Sequence, residues 1–302
     1  MPEQLVRYVE TEVLRIAYLE SGPGDGWPVI LSHGFPYDVH AYDAVARMLV
    51  EAGARVITPY TRGFGPTRFV SNANMRSGQQ AARGLDIIQF ADALNLERPI
   101  VGGYDWGGNA SCVAAALWSE RIGGLVFYAG YDVIDVGGQQ AAFQPSFERI
   151  CWYQHLFQTE RGRVCLAKHR QALCRILWSE WSPDWQFDEA TFARSAASYD
   201  NPDFVDVVIH SYRHRNGNAP GEPRFAEMER QLAQRPTIQV PSITLHGAED
   251  GIARPAADSP EERASFTSFR GRRIVAGAGH FVPREKPDAV ASALLELLAA
   301  TR

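Results

Sequence analysis

The sequence predicts an α/β domain on a mostly parallel sheet with helices on both faces, interrupted by an inserted helical cap. Strand and helix patterns alternate over the first 133 residues and resume after Pro241. Between them, the chain has helical patterns rich in Trp, Tyr and Arg, with no convincing buried strand. We therefore assign residues 1–133 and 237–302 to the core and residues 134–236 to the cap domain. The insertion leaves and re-enters at strand ends, the edge at which open α/β sheets bind ligands.

The first elements follow from short-range patterns. "EVLRIAYLES" alternates apolar and polar residues, as a half-buried strand does. "WPVILSHG" and "ARVITPY" are short apolar runs typical of fully buried strands. "DVHAYDAVARMLVEAG" lies between them, has helical spacing and ends at a glycine. A second helix, "SGQQAARGLDIIQFADALNL", is predicted to begin near Ser77 as its cap.

The same alternation continues and then closes the domain. "RPIVGGYD" and "GGLVFYAGYDV" are predicted strands that flank a helix, "NASCVAAALWSERI". After the insertion, "PSITLHGAED" and "RRIVAGAGH" are predicted strands, and "PDAVASALLELLAA" is a closing amphipathic helix. The βαβα order favours a parallel sheet, because parallel neighbours need a crossover helix.

Composition limits the class of protein. The chain has 302 residues, 45% of them hydrophobic and 22% charged, as in soluble globular proteins. Its net charge of -5 gives no electrostatic case for nucleic acid or an anionic membrane as partner. No run of about 18 apolar residues and no apolar leader is present. The cysteines show no CxxC pairing, so we expect reduced thiols and a cytoplasmic protein; they are Cys112, Cys151, Cys165 and Cys174.

The stretch Gly103 to Gly107, "GYDWG", fits a nucleophile elbow, a sharp turn between a strand and a helix. Such elbows commonly place Ser at the centre, and here the central residue is Asp105. The N-terminus of the following helix favours an anion at that point. The alternative interpretation is that Asp105 is only the N-cap of the helix.

Two further residues follow strands in the order that an elbow enzyme requires. Asp250 lies in "HGAED" and His280 in "GAGHFVP", each directly after a predicted strand. Asp250 would accept a hydrogen bond from His280 and fix its tautomer. Alone, Asp250 could be a turn former and His280 a surface loop residue. Their joint order makes an acid and a base more probable than two unrelated loop residues.

The segment "SHGFP" follows a strand and precedes a helix. The backbone N–H of Phe35 is a candidate oxyanion donor, with the N–H of Trp106 as the second. Both side chains are also candidates for walls of a substrate pocket. The alternative is an ordinary Gly-Phe-Pro turn.

These motifs give the chain a clear resemblance. "HGFP", "RGFGPT", "GGYDWGG", "HGAED" and "GAGHFVP" stand in the order found in α/β-hydrolases. The chain resembles the aspartate-nucleophile branch of that superfamily over nearly its whole length. It is most similar to soluble epoxide hydrolases, which are related to haloalkane and haloacetate dehalogenases. Many epoxide hydrolases have His where this chain has Tyr104.

The resemblance implies two acids in the cap. Epoxide hydrolases use two cap tyrosines to hydrogen-bond and protonate the epoxide oxygen. "WYQHLFQ" places Tyr153 in the first role and "HSYRHR" places Tyr212 in the second. Trp152 is expected to join the substrate pocket. The alternative for both tyrosines is a core position in an aromatic-rich helical domain.

The leaving group separates the related activities. An epoxide oxygen leaves as an alkoxide and needs an acid, whereas a halide needs no proton and prefers N–H donors such as a Trp indole. Trp106 therefore keeps a haloalkane dehalogenase possible. Haloacetate dehalogenases carry arginines beside the nucleophile to bind the substrate carboxylate. Trp106 and Asn109 occupy those positions here, which disfavours a carboxylate substrate.

We therefore expect an epoxide hydrolase that forms a vicinal diol. Asp105 would form a covalent alkyl ester, and water activated by His280 and Asp250 would hydrolyse it. The expected partners are a small hydrophobic epoxide and water, with a homodimer possible and no cofactor. His210 and His214 have helical zinc spacing but lack the HExxH glutamate, so no metal is expected. The alternatives are a haloalkane or haloacid dehalogenase and a non-catalytic small-molecule binder.

Overall fold

A mostly parallel sheet runs through the centre of the computed structural model, which describes residues 5–136, 144–252 and 255–301. The strands among these residues are β1 (Arg7–Glu10), β2 (Leu14–Ser21), β3 (Trp27–Ser32), β4 (Ala54–Pro59), β5 (Arg68–Phe69), β6 (Ile100–Gly103), β7 (Gly124–Tyr128), β8 (Ser242–Gly247) and β9 (Phe269–Val275). Their order is β1-β2-β4-β3-β6-β7-β8-β9, with β5 paired to β2. The strands from β4 to β9 along this order are parallel, and β1 and β2 are antiparallel.

Helices cover both faces of the sheet. Those in the first and last parts of the chain are α1 (Asp43–Glu51), α2 (Gln80–Ala93), α3 (Trp106–Leu117), α10 (Pro260–Ala264), α11 (Val282–Glu285) and α12 (Pro287–Thr301). Alternate residues of β3 point to opposite faces, so Val29 and Leu31 join one apolar cluster and Ile30 the other. This split places α1 and α12 on one face and α2 and α3 on the opposite face. The fold class is as predicted.

A helical insertion lies between β7 and β8. Its helices are α4 (Pro145–Ile150), α5 (Trp152–Phe157), α6 (Glu160–Trp181), α7 (Glu189–Ala196), α8 (Phe204–Arg215) and α9 (Ala226–Ala233). Within described residues 144–236 there is no strand. Residues 137–143, which the sequence analysis assigned to the cap, lie outside the described residues. We use "insertion" below for residues 144–236.

The insertion is hydrogen-bonded to loops at the carboxyl ends of the strands. The Trp178 indole N–H donates to the carbonyl of Pro36 at 2.8 Å, and the Tyr199 hydroxyl donates to the same carbonyl. The carbonyl of Trp181 accepts from the N–H groups of Gly251 and His280, at 3.0 and 3.1 Å. The insertion is thus fixed to the loops that follow β3, β8 and β9.

Two local predictions differ from the structure. Helix α2 begins at Gln80, not near Ser77; its N-cap residue Gln79 makes no capping hydrogen bond, and Glu229 Oε1 accepts from the Ala81 N–H at 3.2 Å. The Ser77 hydroxyl instead donates to the side chain of Gln79 at 2.9 Å. Strand β1 was not predicted; it is a mostly exposed strand beside β2, so it lacks the apolar alternation that marks a half-buried strand.

Among the described residues, no helix is both long and apolar enough to span a membrane.

Candidate active site

Asp105 stands at a strained turn between β6 and α3. Its backbone has φ 49° and ψ -126°, a region that residues other than glycine rarely occupy. Neighbouring chain segments approach the turn closely. A Cβ on Gly34 would lie 2.4 Å from the Cβ of Asp105, and one on Gly107 would lie 2.0 Å from the carbonyl oxygen of Ser32. The glycines beside the elbow therefore allow β3, β6 and α3 to meet at Asp105.

The Asp105 side chain does not cap the helix that follows it. It occupies the N-cap position of α3 but accepts no hydrogen bond from that helix. Its Oδ1 accepts instead from the backbone N–H of Phe35 at 2.7 Å. Trp106 begins α3, so its N–H is one of the first-turn donors that lack an intrahelical acceptor. The structure thus places the Phe35 N–H on the Asp105 carboxylate and leaves the Trp106 N–H without a partner inside the helix.

His280 lies between two carboxylates. Its Nε2 is 3.7 Å from Asp105 Oδ2, an ion-pair distance too long for a hydrogen bond. Its Nδ1 is 3.3 Å from Asp250 Oδ2. The insertion fixes the backbone, because the His280 N–H also donates to the Ser182 hydroxyl at 2.9 Å. The three predicted residues therefore meet in the order Asp105, His280, Asp250.

Asp250 has more partners than the sequence analysis assigned. The Tyr128 hydroxyl donates to its Oδ2 at 2.6 Å, and the N–H of Ile252 donates to its Oδ1 at 2.7 Å. His246 Nε2 is 3.4 Å from the same Oδ2. Tyr128 is the last residue of β7, and His246 lies in β8. A polar residue at the carboxyl end of a central parallel strand was the signal that could have identified Tyr128.

The pKa values reflect this pairing. Burial alone would raise the pKa of Asp250, but the His280 charge and the hydrogen bonds from His246, His280 and Tyr128 hold it below its ordinary value. Burial alone would lower the pKa of His280, but Asp250 and Asp105 raise it to about 9. At neutral pH the arrangement is therefore a buried imidazolium between carboxylates.

Tyr153 and Tyr212 meet edge to face in the insertion. Their ring centroids are 5.4 Å apart, and each side chain is almost fully buried. Burial is the main cause that raises the pKa of both hydroxyls, and the charge of Asp105 adds to it, so both are protonated at neutral pH. The Gln154 side-chain amide donates to the Tyr153 hydroxyl oxygen at 3.1 Å. Both phenols are thus neutral acids within electrostatic reach of Asp105.

A cavity of about 230 Å³ lies beside Asp105 and His280; Tyr153 lines it, whereas Tyr212 packs behind Tyr153 and is not among its walls. Its walls include Asp105, Trp106, Tyr153, Asp250 and His280, together with polar side chains to which the sequence analysis assigned no role in the site; these are Arg83, Asn109, Asp132, Gln154 and Arg215.

The structure does not bring every predicted pocket residue into this cavity. Trp152 is not among its walls, and the indole N–H of Trp152 donates to Glu180 at 2.8 Å, so its assignment to the substrate pocket stays a prediction. The side chain of Trp152 turns away because it precedes Tyr153 on the same short helix, and adjacent helical positions face different directions. The ring of Phe35 is fully buried against Trp106 and Tyr212, so only its N–H faces Asp105.

His210 and His214, the two histidines with helical zinc spacing, have other partners. His210 Nδ1 accepts from the N–H of Gly78 at 2.9 Å, and its ring stacks on His214 with centroids 5.5 Å apart. Within the described part of the chain, no group of three or more His, Cys, Asp or Glu side chains could hold a metal ion.

Comparison with known proteins gives one family. The profile of the α/β hydrolase fold family matches residues 28–287. The chain is 26% identical to epoxide hydrolase A of Mycobacterium tuberculosis over 97% of this chain and 96% of the relative. It is 33% identical to a haloalkane dehalogenase of Psychrobacter cryohalolentis, over 96% of this chain and 89% of the relative. The crystal structure of "a putative epoxide hydrolase" from Klebsiella pneumoniae superposes with a TM-score of 0.94, at 40% identity, over 97% of this chain and 96% of that one.

Proposed function

Because the chain belongs to the α/β-hydrolase fold family and is a hydrolase, we propose that it converts an epoxide to a vicinal diol through an ester on Asp105. One observation carries this choice of leaving group. Two buried phenols, Tyr153 and Tyr212, meet within electrostatic reach of Asp105. An alkoxide leaving group needs such acids, whereas a halide does not.

In the first step, Asp105 Oδ2 attacks an epoxide carbon. The Phe35 N–H holds Oδ1 at 2.7 Å, so Oδ2 is the oxygen left to form the new bond. The epoxide C–O bond breaks, and its electron pair goes to the oxygen, which takes a proton from a tyrosine hydroxyl. A carboxylate needs no base before it attacks, since it is already ionised at neutral pH.

In the second step, water adds to Asp105 Cγ, the Cγ–Oδ2 bond breaks, and the diol leaves with Oδ2 after taking the proton of the newly formed carboxyl group. His280 Nε2, which faces Asp105, takes the proton from this water. Oδ1 carries the negative charge of the tetrahedral intermediate and already accepts from the Phe35 N–H. Asp250 holds His280 through Nδ1.

Esterification itself prepares His280 for the second step. The charge of Asp105 is one of the causes that raise the pKa of His280 to about 9. The ester has no charge, so the pKa of His280 falls when the ester forms. The proton that His280 loses restores the tyrosine hydroxyl that protonated the epoxide oxygen. The imidazole then becomes the neutral base that attack by water requires.

The insertion acts as a cap in this scheme. It supplies both phenols, and its Trp181 carbonyl and Ser182 hydroxyl hold the backbone of His280. The rings of Phe157, Trp181 and Tyr212 also pack against Phe35, whose N–H holds the reacting carboxylate. The substrate is therefore a small molecule enclosed between core and cap.

A haloalkane dehalogenase is the second candidate, and one observation favours it. The indole nitrogen of Trp181 is buried and has no hydrogen-bond partner among the described residues. Its ring lies 5.0 Å from that of His280 and 5.3 Å from that of Tyr153, centroid to centroid. An indole N–H at this place is the kind of donor that a departing halide prefers.

A substrate panel separates the two candidates. Purified protein is assayed with styrene oxide, 1-bromobutane and chloroacetate, with diol and halide both measured. We expect diol formation, and we expect Tyr153→Phe and Tyr212→Phe each to reduce it by about 100-fold, the usual contribution of a positioned acid. Tyr8→Phe, an exposed position, is the matched control. Halide release without diol formation would establish the dehalogenase instead.

A further inference from the structure

The cavity that holds Asp105 also contains two arginines and one further carboxylate. Arg83, Asp132 and Arg215 line it together with Asp105 and His280. They come from α2, from the segment after β7 and from the last residue of α8. The two-step reaction proposed above uses none of them.

Arg83 is a buried cation whose hydrogen-bond partners are all neutral. The Arg83 side chain donates to the Ser211 hydroxyl at 3.0 Å and to the Asn109 side-chain oxygen at 2.8 Å. Arg83 is only 7% exposed. The guanidinium carbon lies 4.7 Å from the centre of the Trp106 ring. Arg83 Nε has no hydrogen-bond partner among the described residues. A buried charge without a bonded counter-ion is unfavourable, and burial lowers the pKa of Arg83 to about 10.

Arg215 is a second cation that has no hydrogen-bonded partner among the described residues. It is partly buried at the end of α8, and it makes no hydrogen bond or salt bridge to any residue the structure describes. Arg213, two residues earlier, donates to the carbonyl of Phe157 and pairs with Glu160. Arg213 therefore has bonded partners within the insertion, whereas Arg215 on the same helix has none among the described residues.

Asp132 only partly balances these two charges. Burial raises the pKa of Asp132 to about 7, although Arg215 and Arg83 oppose the shift. No described residue bonds its carboxylate; Asn109 donates to its backbone carbonyl, at 2.6 Å. Arg83 and Arg215 thus share the cavity with Asp132, which is partly protonated near neutral pH, while the imidazolium of His280 offsets the charge of Asp105, so these side chains together carry positive charge.

The sequence analysis had disfavoured a carboxylate substrate, because Trp106 and Asn109 stand where haloacetate dehalogenases carry arginines. The structure supplies the cation from elsewhere. Arg83 reaches across from α2, stacks on Trp106 and bonds Asn109. The guanidinium of Arg83 therefore lies beside Trp106 and Asn109, although neither of those positions is itself an arginine.

We propose that Arg83 and Arg215 form an anion subsite in the active-site cavity, which binds the carboxylate of a small epoxide substrate. The proposal rests on the proposed function and names its substrate class. Guanidinium groups suit carboxylates, because their fixed N–H donors match the two oxygens. A single negative charge on the substrate fits the two guanidinium groups and one carboxylate of this subsite.

A matched pair of substrates tests the subsite. 4-(Oxiran-2-yl)benzoate and 4-(oxiran-2-yl)benzamide have nearly the same shape and differ in charge. We expect kcat/KM for the acid to exceed that for the amide by about 10-fold or more, as for a charge-assisted hydrogen bond. Arg215→Gln should bring this ratio towards one, and Asp132→Asn should raise it. Arg161→Gln, at an exposed position of α6, should leave the ratio and both rates unchanged.

An acid-to-amide ratio of one or less in the wild type would overturn the subsite, as would a ratio that neither Arg215→Gln nor Asp132→Asn changes. Turnover of the amide would meanwhile leave the epoxide hydrolase proposal intact. If neither epoxide reacts, the proposed function fails, and calorimetric binding of 4-(1,2-dihydroxyethyl)benzoate and its amide tests the subsite alone. Tighter binding of the acid that is lost in Arg215→Gln supports it, and equal affinity overturns it.

Discussion

His280 is the residue whose chemistry depends most on its neighbours. It lies 3.3 Å from Asp250 and 3.7 Å from Asp105, with no exposed surface of consequence. The pair of carboxylates outweighs burial and keeps the imidazole protonated in the free protein. Removing the charge of either carboxylate should therefore change the proton affinity of this one ring.

This pairing predicts how stability depends on pH. The pKa of His280 is raised from its ordinary 6.5 to about 9, so the folded chain binds more protons than the unfolded chain between these values. The stabilisation is complete below about pH 6.5 and is lost as pH rises through about 9; it is on the order of 3 kcal/mol. The pKa of Asp132 is also raised, to about 7, so its own effect on the pH dependence of stability lies at lower pH and adds little between about pH 7 and 9.

Urea unfolding from pH 6.5 to 9.5 measures the effect. We expect the free energy of unfolding of the wild type to fall with pH, and that of Asp105→Asn to fall less, because one carboxylate that raises the pKa of His280 is absent. Parallel curves for the two proteins would show that Asp105 does not influence His280.

The main site residues could be predicted because each leaves a short local signal. Asp105 is centred between glycines, and Asp250 and His280 directly follow apolar strands. Arg83 and Asp132 leave no such signal: their meeting depends on how α2 and the segment after β7 pack. The orientation of Trp152 depends on the packing of a short helix in the same way, so the sequence could not show that its indole N–H would donate to Glu180.

At the scale of elements, the site is produced by strand ends that lie at the same edge. Ser32 of β3 pairs with Gly103 of β6, so the loops after these strands begin side by side. Buried parallel strands are continuous apolar runs and were predictable. The start of α2 was not, because Ser77 bonds Gln79 instead of capping the helix.

Close contact between these elements depends on Gly107. A Cβ at this position would lie 2.0 Å from the carbonyl oxygen of Ser32, a backbone atom that cannot relieve the clash by a side-chain rotation. We expect Gly107→Ala to separate α3 from β3, lower the free energy of unfolding by about 2 kcal/mol or more and reduce epoxide turnover. Thermal unfolding and initial rates measure both effects. Gly24→Ala, where an added Cβ meets no atom within 4 Å, should change neither; equal behaviour of the two variants would contradict this account.

At the scale of the whole molecule, the core and the insertion share one apolar cluster. Val29 and Ile100 of the sheet belong to the same cluster as Trp178, Tyr199 and Tyr212 of the insertion. Hydrogen bonds from the insertion to Pro36 and His280 cross the same boundary. The order of elements predicted an insertion in the chain, but periodicity could not show that the two parts share their interior.

A shared interior predicts cooperative unfolding. Helix loss followed by far-ultraviolet circular dichroism and the change in tryptophan fluorescence should give one coincident transition in urea. Trp178 and Trp181 are fully buried in the insertion, while Trp106 reports on the core. Two separated transitions would show that the insertion unfolds independently of the sheet.

A single turnover in heavy-oxygen water distinguishes attack on the substrate by Asp105 from direct attack by water. With enzyme in excess over styrene oxide, the first diol should carry ordinary oxygen from Asp105, and the peptide containing Asp105 should gain the mass of one heavy oxygen. Heavy oxygen in the first diol, with an unlabelled Asp105 peptide, would show direct attack by water and contradict the account.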